Sequence, residues 1–273
     1  MVSHPRVKQL LAIERLVAAR PELDRVIARV QHLPIHALSF GPAADVPLFI
    51  VVGGVHGNEQ IGTEVAIAFL ETLIARAAPV DHRIVVVPLL NPVGMARNRR
   101  ANGNGVDLMR NAPPHALGGT PLLGGQRRSR WLPWYMGPAG APMEVEAAAL
   151  VELVEAECAS APFCLALDLH FGFGLANRLW YPYARSREPI ADLPAIHALG
   201  RLLDTALPGH RYRYEQTAQV YTIRGDLWDH LYDRRRCTLL PLTLEIGVRS
   251  RRHLPLIDAL VHATASYRAW LPR

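Results

Sequence analysis

Residues 46–60 read Val-Pro-Leu-Phe-Ile-Val-Val-Gly-Gly-Val-His-Gly-Asn-Glu-Gln. Val46 to Val55 is apolar and rich in β-branched residues, with Pro47 at one end and Gly57-Asn58 just beyond the other. That is the pattern of a strand buried on both faces and ending in a loop. Residues 59–77 return to helical spacing of apolar positions, Arg83 to Leu90 reads as a second buried strand, and Asn91-Pro92-Val93-Gly94 closes it in a turn. Strand, helix and strand make a β-α-β unit, whose connection is parallel and right-handed.

Upstream, residues 7–30 repeat apolar positions at helical spacing and are interrupted at Pro21, which predicts two short helices. Downstream, Ala112 to Pro142 shifts to Pro, Gly and Trp, the composition of a long irregular insertion. Beyond it the spacing predicts an acidic helix over 143–157, strands at Phe163–Leu169 and Arg178–Ala184, and a helix over Ile190–Leu207. A late strand at Leu239–Ile246 and a closing helix over Leu256–Trp270 follow. Strands and helices alternate without internal repeat. The expected fold class is therefore α/β: a single domain over residues 1–273 with a mixed, largely parallel central sheet and helices on both faces.

Composition excludes other classes. Half of the 273 residues are hydrophobic and a fifth are charged, so the chain can bury a core and is neither disordered nor fibrous. No apolar run approaches the roughly 18 residues of a membrane span. Residues 1–29 carry charges throughout, unlike a signal peptide, and the reading is cytoplasmic. Cys158, Cys164 and Cys237 form no C-x-x-C pair, so they read as core residues rather than a disulfide framework. The net charge of +6 comes mostly from scattered Arg, clustered only at Arg127–Arg130, Arg234–Arg236 and Arg249–Arg252, and no stripe of interleaved aromatic and basic residues points to nucleic acid.

Ligands of open α/β sheets gather at the carboxyl ends of strands. After the first strand come His56 and Glu59, three apart on a glycine-flanked loop, and at the end of the third comes Asp168-Leu169-His170. Two imidazoles and one carboxylate are the three-ligand set of a catalytic zinc whose fourth position takes water. H-x-x-E alone is a weak pattern, and a lone strand-end His is more often structural. Their joint placement after apolar strands carries the weight. Between them, Asn98 to Asn111 holds Arg99, Arg100, Asp107 and Arg110 on a Gly/Asn loop. There a guanidinium can hold an anion or polarise a carbonyl and the carboxylate can orient a metal-bound His. Glu245 sits inside the apolar strand Leu242–Ile246, where a carboxylate needs a partner or a task, and burial moves its pKa toward that of a general base.

The order His56-x-x-Glu59, Asn91-Pro92-x-Gly94, Arg100, Asp107-Leu108-x-Arg110-Asn111, Asp168-x-His170 and Glu245-x-Gly247 resembles the zinc carboxypeptidase family, that of carboxypeptidase A, over about residues 48–248. Within it, the stretch Arg100 to Asn111 is similar to murein peptide amidases, which cleave the γ-D-glutamyl to diaminopimelate bond of peptidoglycan peptides. The resemblance implies one Zn2+ per chain held by His56, Glu59 and His170, and Glu245 activating water. It implies Arg100 polarising the scissile carbonyl and Asp107 as partner of His56, with Asp168 also supporting the ligands. Arg110 would bind the substrate's terminal carboxylate with Asn111, and Tyr221 would stand where the family carries a mobile tyrosine. A turn tyrosine packed on Trp228 is the competing reading of Tyr221.

Met109 departs from the family, which places Asn before that arginine; a thioether cannot donate the amide's hydrogen bond. The expected substrate is a short peptide. An N-acyl-amino-acid deacylase of the succinylglutamate desuccinylase and aspartoacylase type, and a non-catalytic peptide-binding module, are the alternatives.

Overall fold

The computed structural model describes residues 7–76, 79–113, 120–247 and 253–272. In chain order the elements are α1 (Lys8–Ala19), a 3-10 turn (Pro21–Leu23), β1 (Asp24–Val30), β2 (Leu33–Phe40), β3 (Leu48–Gly53), α2 (Gln60–Ala75), β4 (Arg83–Val87) and α3 (Pro92–Ala96). A second 3-10 turn (Leu108–Arg110), α4 (Val145–Cys158), β5 (Phe163–Phe171), β6 (Arg178–Tyr181), α5 (Leu193–Ala206), β7 (Arg213–Gln216) and α6 (Thr217–Val220) follow. The described chain ends with α7 (Leu227–Arg234), β8 (Thr238–Ile246), α8 (Leu254–Ala265) and α9 (Tyr267–Trp270).

All eight strands join one sheet in the order β1-β2-β4-β3-β5-β8-β6-β7. The central run β4-β3-β5-β8 is parallel, while β2 meets β4 and β6 meets β8 antiparallel. Alternation along each central strand splits the core in two. Phe49 and Val51 of β3 and Leu165, Leu167 and Leu169 of β5 face α2, α5 and α8, whereas Ile50, Val52, Cys164 and Ala166 face α4 and α7. The expected mixed sheet with helices on both faces is the observed one, and the β-α-β unit is β3-α2-β4 with parallel pairing.

The second N-terminal helix expected before residue 30 is instead the edge strand β1, paired antiparallel with β2 across a turn in which Gln31 and His32 take positive φ. A register shift between Val26 and Ala28 accounts for the misreading, because a bulge breaks the period of two and leaves apolar positions at helix-like intervals. The expected closing helix divides at Ser266 into α8 and α9. Strands β2 and β7 and helix α7 were not expected. Of the cysteines, Cys158 and Cys164 are buried and Cys237 is half-buried, all as free thiols.

Within the expected insertion, residues 114–119 lie outside the described residues, as does the Arg249–Arg252 cluster. The described remainder, 120–142, is irregular and fastened to the loop before α7 by Thr120 N–H to Thr222 O (3.1 Å), with Ala112 N–H to Gly225 O (3.0 Å) beside it. Among the described residues, no helix is long and apolar enough to cross a membrane.

Candidate metal centre

Three strand ends build the site. β3 runs into the loop Gly54–Asn58, and Gly57 packs so closely on the Asn91–Gly94 turn that a Cβ there would lie 2.0 Å from the Gly94 carbonyl carbon. Asn91 locks the two together: its Nδ2 donates to Val55 O (3.2 Å) and its Oδ1 accepts the Gly94 N–H (2.8 Å), which starts α3. His56 and Glu59 are thereby presented over the end of β5. There the sheet register pairs His170 with Glu245 of β8, so both side chains leave the same face of the sheet.

The ligand atoms of His56, Glu59 and His170 lie within 4.8 Å of one another, and all three residues are buried. Glu59 bridges the imidazoles, with Oε1 2.9 Å from His56 Nδ1 and Oε2 3.1 Å from His170 Nδ1, and the two Nδ1 atoms are 3.0 Å apart. The far nitrogens face carboxylates. His56 Nε2 lies 3.0 Å from Asp107 Oδ1 and His170 Nε2 lies 2.9 Å from Asp168 Oδ2, which also accepts the Trp228 indole N–H at 2.8 Å. A carboxylate beside Nε2 holds the proton there and leaves Nδ1 with a lone pair. Two lone pairs facing each other at 3.0 Å repel unless a proton or a metal cation stands among them. The residues therefore fit a divalent ion of nitrogen and oxygen preference, zinc above all.

The titration tendencies tell the same story of negative charge gathered around two rings. Burial pushes the Glu59 carboxyl up, but the His56 and His170 imidazoles hold it well below the usual carboxylate range. Burial disfavours a charged His170, yet Asp168 and Glu59 raise it well above the ordinary imidazole value. Asp107, also opposed by burial, is held well below the carboxylate range by Arg100, Arg110 and His56.

Arg100 reaches the same point: Nη1 donates to Glu59 Oε1 and Nε to Asp107 Oδ2, both at 2.9 Å. Glu245 lines the cavity with His56, His170 and Arg100, and its carboxyl is raised by burial, with Glu59 adding to the rise and His170 opposing it. Arg110 is 2% exposed, and its guanidinium is largely engaged, by Nη1 to Asp107 Oδ2 (2.9 Å) and by Nε and Nη2 to Leu123 O (3.0 and 2.8 Å). Tyr221 lines the same cavity as Arg110 and stacks on Phe173 with ring centroids 5.6 Å apart. Its second ring neighbour is Trp180 (5.9 Å), so the expected competing contact with Trp228 gives way to these two. An outer cleft of about 340 Å3, lined among others by Trp134, Phe171, Phe173 and Tyr221, leads to the site. A wider surface cleft of about 890 Å3 near His210 and Tyr212 lies away from the imidazoles.

Asn111 is the expected substrate-binding residue that does not join the cluster. Its Nδ2 donates to Met136 O (3.1 Å) and its Oδ1 accepts the Glu144 N–H (2.6 Å), so the amide holds the 136–144 loop instead of facing the cavity. Conversely, Trp180, Thr217, Ile223, Asp226 and Thr243 line the cavity without having been singled out. Only Asp226 left a trace in the sequence, as the Gly225-Asp226-Leu227-Trp228 run that begins a helix.

Fold and site together define an α/β protein carrying, among the described residues, one cluster suited to a divalent metal at the carboxyl edge of its sheet. The sequence matches the zinc carboxypeptidase family over residues 12–263, and the chain belongs to that family. Among solved structures, it is similar to bovine thrombin-activatable fibrinolysis inhibitor, solved in complex with tick carboxypeptidase inhibitor, with a TM-score of 0.74 and 16% identity over 98% of this chain and 97% of that one. Carboxypeptidase A from Helicoverpa armigera gives a TM-score of 0.69 at 16% identity, over 95% of this chain and 71% of that one. Murein-tripeptide amidase from Escherichia coli O157 gives 0.57 at 22% identity, over 100% of this chain and 99% of that one. At such identities the likeness is one of fold. No curated protein sequence matches the chain.

Proposed function

We propose that the chain is a zinc-dependent hydrolase that cleaves an amide bond of a short peptide, in the manner of a carboxypeptidase or murein peptide amidase. The observation that carries this reading is the convergence of His56, Glu59 and His170 ligand atoms within 4.8 Å, beside a cavity that Glu245 and Arg100 also line. His56, Glu59 and His170 would hold the ion. Bound there, zinc would supply Lewis acidity toward water and the scissile carbonyl.

The chain's own groups do the rest. Glu245, whose buried carboxyl is raised toward the range useful to a base, accepts the proton of the attacking water and passes it to the leaving amine. Arg100 keeps its charge, because Asp107 and Glu59 outweigh the opposing effect of burial, and it donates to the oxyanion. Asp107 and Asp168 fix the imidazole rings, and Tyr221 and Arg110 bound the space for substrate. These donors are oriented before reaction, so their stabilisation goes to the transition state.

A deacylase acting on N-acyl-amino acids is the second reading, favoured by Met109 in the cavity wall and by the engagement of Arg110 with Asp107 and Leu123 O. Metal analysis of protein purified without chelator, followed by hydrolysis of a peptide and an acyl-amino-acid panel, tests both. Stoichiometric zinc is expected. Glu245→Gln should keep that metal and lose turnover by about 10²–10⁴-fold. Protein with no bound zinc, inactive after zinc is added, supports the binding-module alternative instead.

A further inference from the structure

Beside the metal cluster the outer cleft of about 340 Å3 far exceeds the inner cavity of about 30 Å3. Clefts begin to hold whole organic groups at about 300 Å3. The two spaces share Arg100, Arg110, Tyr221 and Glu245, so a group joined to a scissile bond at the metal and too large for the inner cavity extends into the outer one. The arginines there are already answered, Arg100 by Glu59 and Arg110 by Asp107. The rest of the wall includes Leu123, Trp134, Phe171 and Phe173, which carry no charge.

Trp134 differs from its neighbours in that wall. Phe173 and Tyr221 stack on each other at 5.6 Å, whereas, among the described residues, no ring packs on half-buried Trp134 and nothing accepts its indole N–H. Its backbone is held at φ +62°, in the left-handed region that a bulky residue rarely adopts, and such outliers persist only where their surroundings fix them. Gln126, 8% exposed, does the fixing. Its Oε1 accepts the N–H groups of Arg128 (2.7 Å) and Ser129 (3.0 Å), and its Nε2 donates to Ser129 O (2.7 Å) and Leu132 O (3.2 Å). On the main chain its N–H donates to Trp134 O (2.9 Å) and its O accepts the Met136 N–H (3.0 Å). One buried side chain thus ties residues 126–136 into a loop that sets Trp134 in the cleft before any ligand arrives, which lowers the ordering cost of binding.

We infer that Trp134 determines specificity by receiving a neutral aromatic acyl group of the substrate, the indole face stacking on the ring and the indole N–H donating to the carbonyl oxygen beside it. An indole donates one hydrogen bond and accepts none, so a ring joined to a carbonyl answers both its apolar and its polar part. A charged group in that place would lose water without gaining a partner. The inference rests on the hydrolase reading for its reaction but not for its binding.

The test uses the zinc-loaded full chain. Hydrolysis compares N-benzoyl-glycyl-alanine with N-acetyl-glycyl-alanine, and calorimetry compares N-benzoyl-glycine with N-acetyl-glycine, each pair differing by the ring. Trp134→Gly removes the indole and suits the positive φ. Trp131→Ala removes a ring that is 77% exposed on the same loop and outside the cleft wall. The wild type and Trp131→Ala should favour the benzoyl probe by about ten- to hundredfold in kcat/KM, and Trp134→Gly should bring that ratio to about one. A ratio near one in the wild type, an unchanged ratio in Trp134→Gly, or a ratio lost equally in Trp131→Ala overturns the inference. If neither dipeptide is cleaved, the hydrolase reading has failed by itself and calorimetry decides. Tighter wild-type binding of benzoyl-glycine, lost in Trp134→Gly, then supports Trp134, and no such preference, or one that survives the substitution, overturns it. Should Trp134→Gly not fold, Trp134→Asn takes its place, since asparagine also tolerates positive φ.

Discussion

Replacing Asp107 by Asn perturbs the carboxylate that ties His56, Arg100 and Arg110 together. Its Oδ1 accepts from His56 Nε2 (3.0 Å) and Met109 N–H (3.2 Å), and its Oδ2 accepts from Arg100 Nε and Arg110 Nη1, both at 2.9 Å. The residue is 1% exposed, so no solvent replaces what is lost. Asparagine preserves Oδ1 but turns an amide donor toward two guanidinium groups. Breaking a buried ion pair costs about 3–5 kcal/mol, and the lower end is expected because Arg100 keeps Glu59 and Arg110 keeps Leu123 O. Loss of a ligand's orienting carboxylate lowers metal affinity about 10–100-fold.

Urea unfolding of metal-free protein reads the first effect, and zinc competition with a chelator of known affinity reads the second. The pH dependence gives a third. Because the Asp107 carboxyl is held below its unfolded value, its stabilisation is present above about pH 3.9 and is lost as pH falls through the lower folded value. The gap between wild type and Asp107→Asn should therefore close on the acid side. A variant destabilised by less than about 1 kcal/mol, with unchanged zinc affinity, refutes the account of Asp107 as the organising charge.

Gly225 takes φ +62°, and a Cβ there would lie 2.5 Å from the carbonyl oxygens of both Arg110 and Ala112, so Gly225→Ala should unfold at a lower temperature and displace Arg110; an unchanged melting curve counts against this. Trp228→Phe removes the 2.8 Å indole hydrogen bond to buried Asp168 and should cost about 1–3 kcal/mol by denaturant unfolding, whereas no loss means that the indole does not hold the carboxylate. The Asp226 carboxyl is raised by burial and by Asp229 to about 8, so the folded chain binds the extra proton and stability falls as pH rises from about 4 toward 8. Asp226→Asn should flatten that decline, and an identical slope in thermal melts across this range would show that the group does not titrate as described.

The cluster of His56, Glu59 and His170 was legible in the sequence because each half is a local event. An apolar run bounded by glycines reads as a buried strand wherever it occurs, the loop after it carries His56 and Glu59, and the strand ending at His170 has the same character. Glu245 was legible through incongruity, since an apolar strand excludes a carboxylate that has no task. The edge strand β1 was not, because its bulge copies helical spacing and only pairing with β2 reveals the strand. Nor could sequence show that Asn111 turns to the 136–144 loop, or that Thr217, Asp226 and Thr243 share one cavity with His56. Side-chain period is a property of a few neighbouring residues, and it fixes which face of its own element a residue occupies. Which faces then meet depends on strand order and register, set by burial across residues far apart in the chain, and that is where the cavity wall was decided.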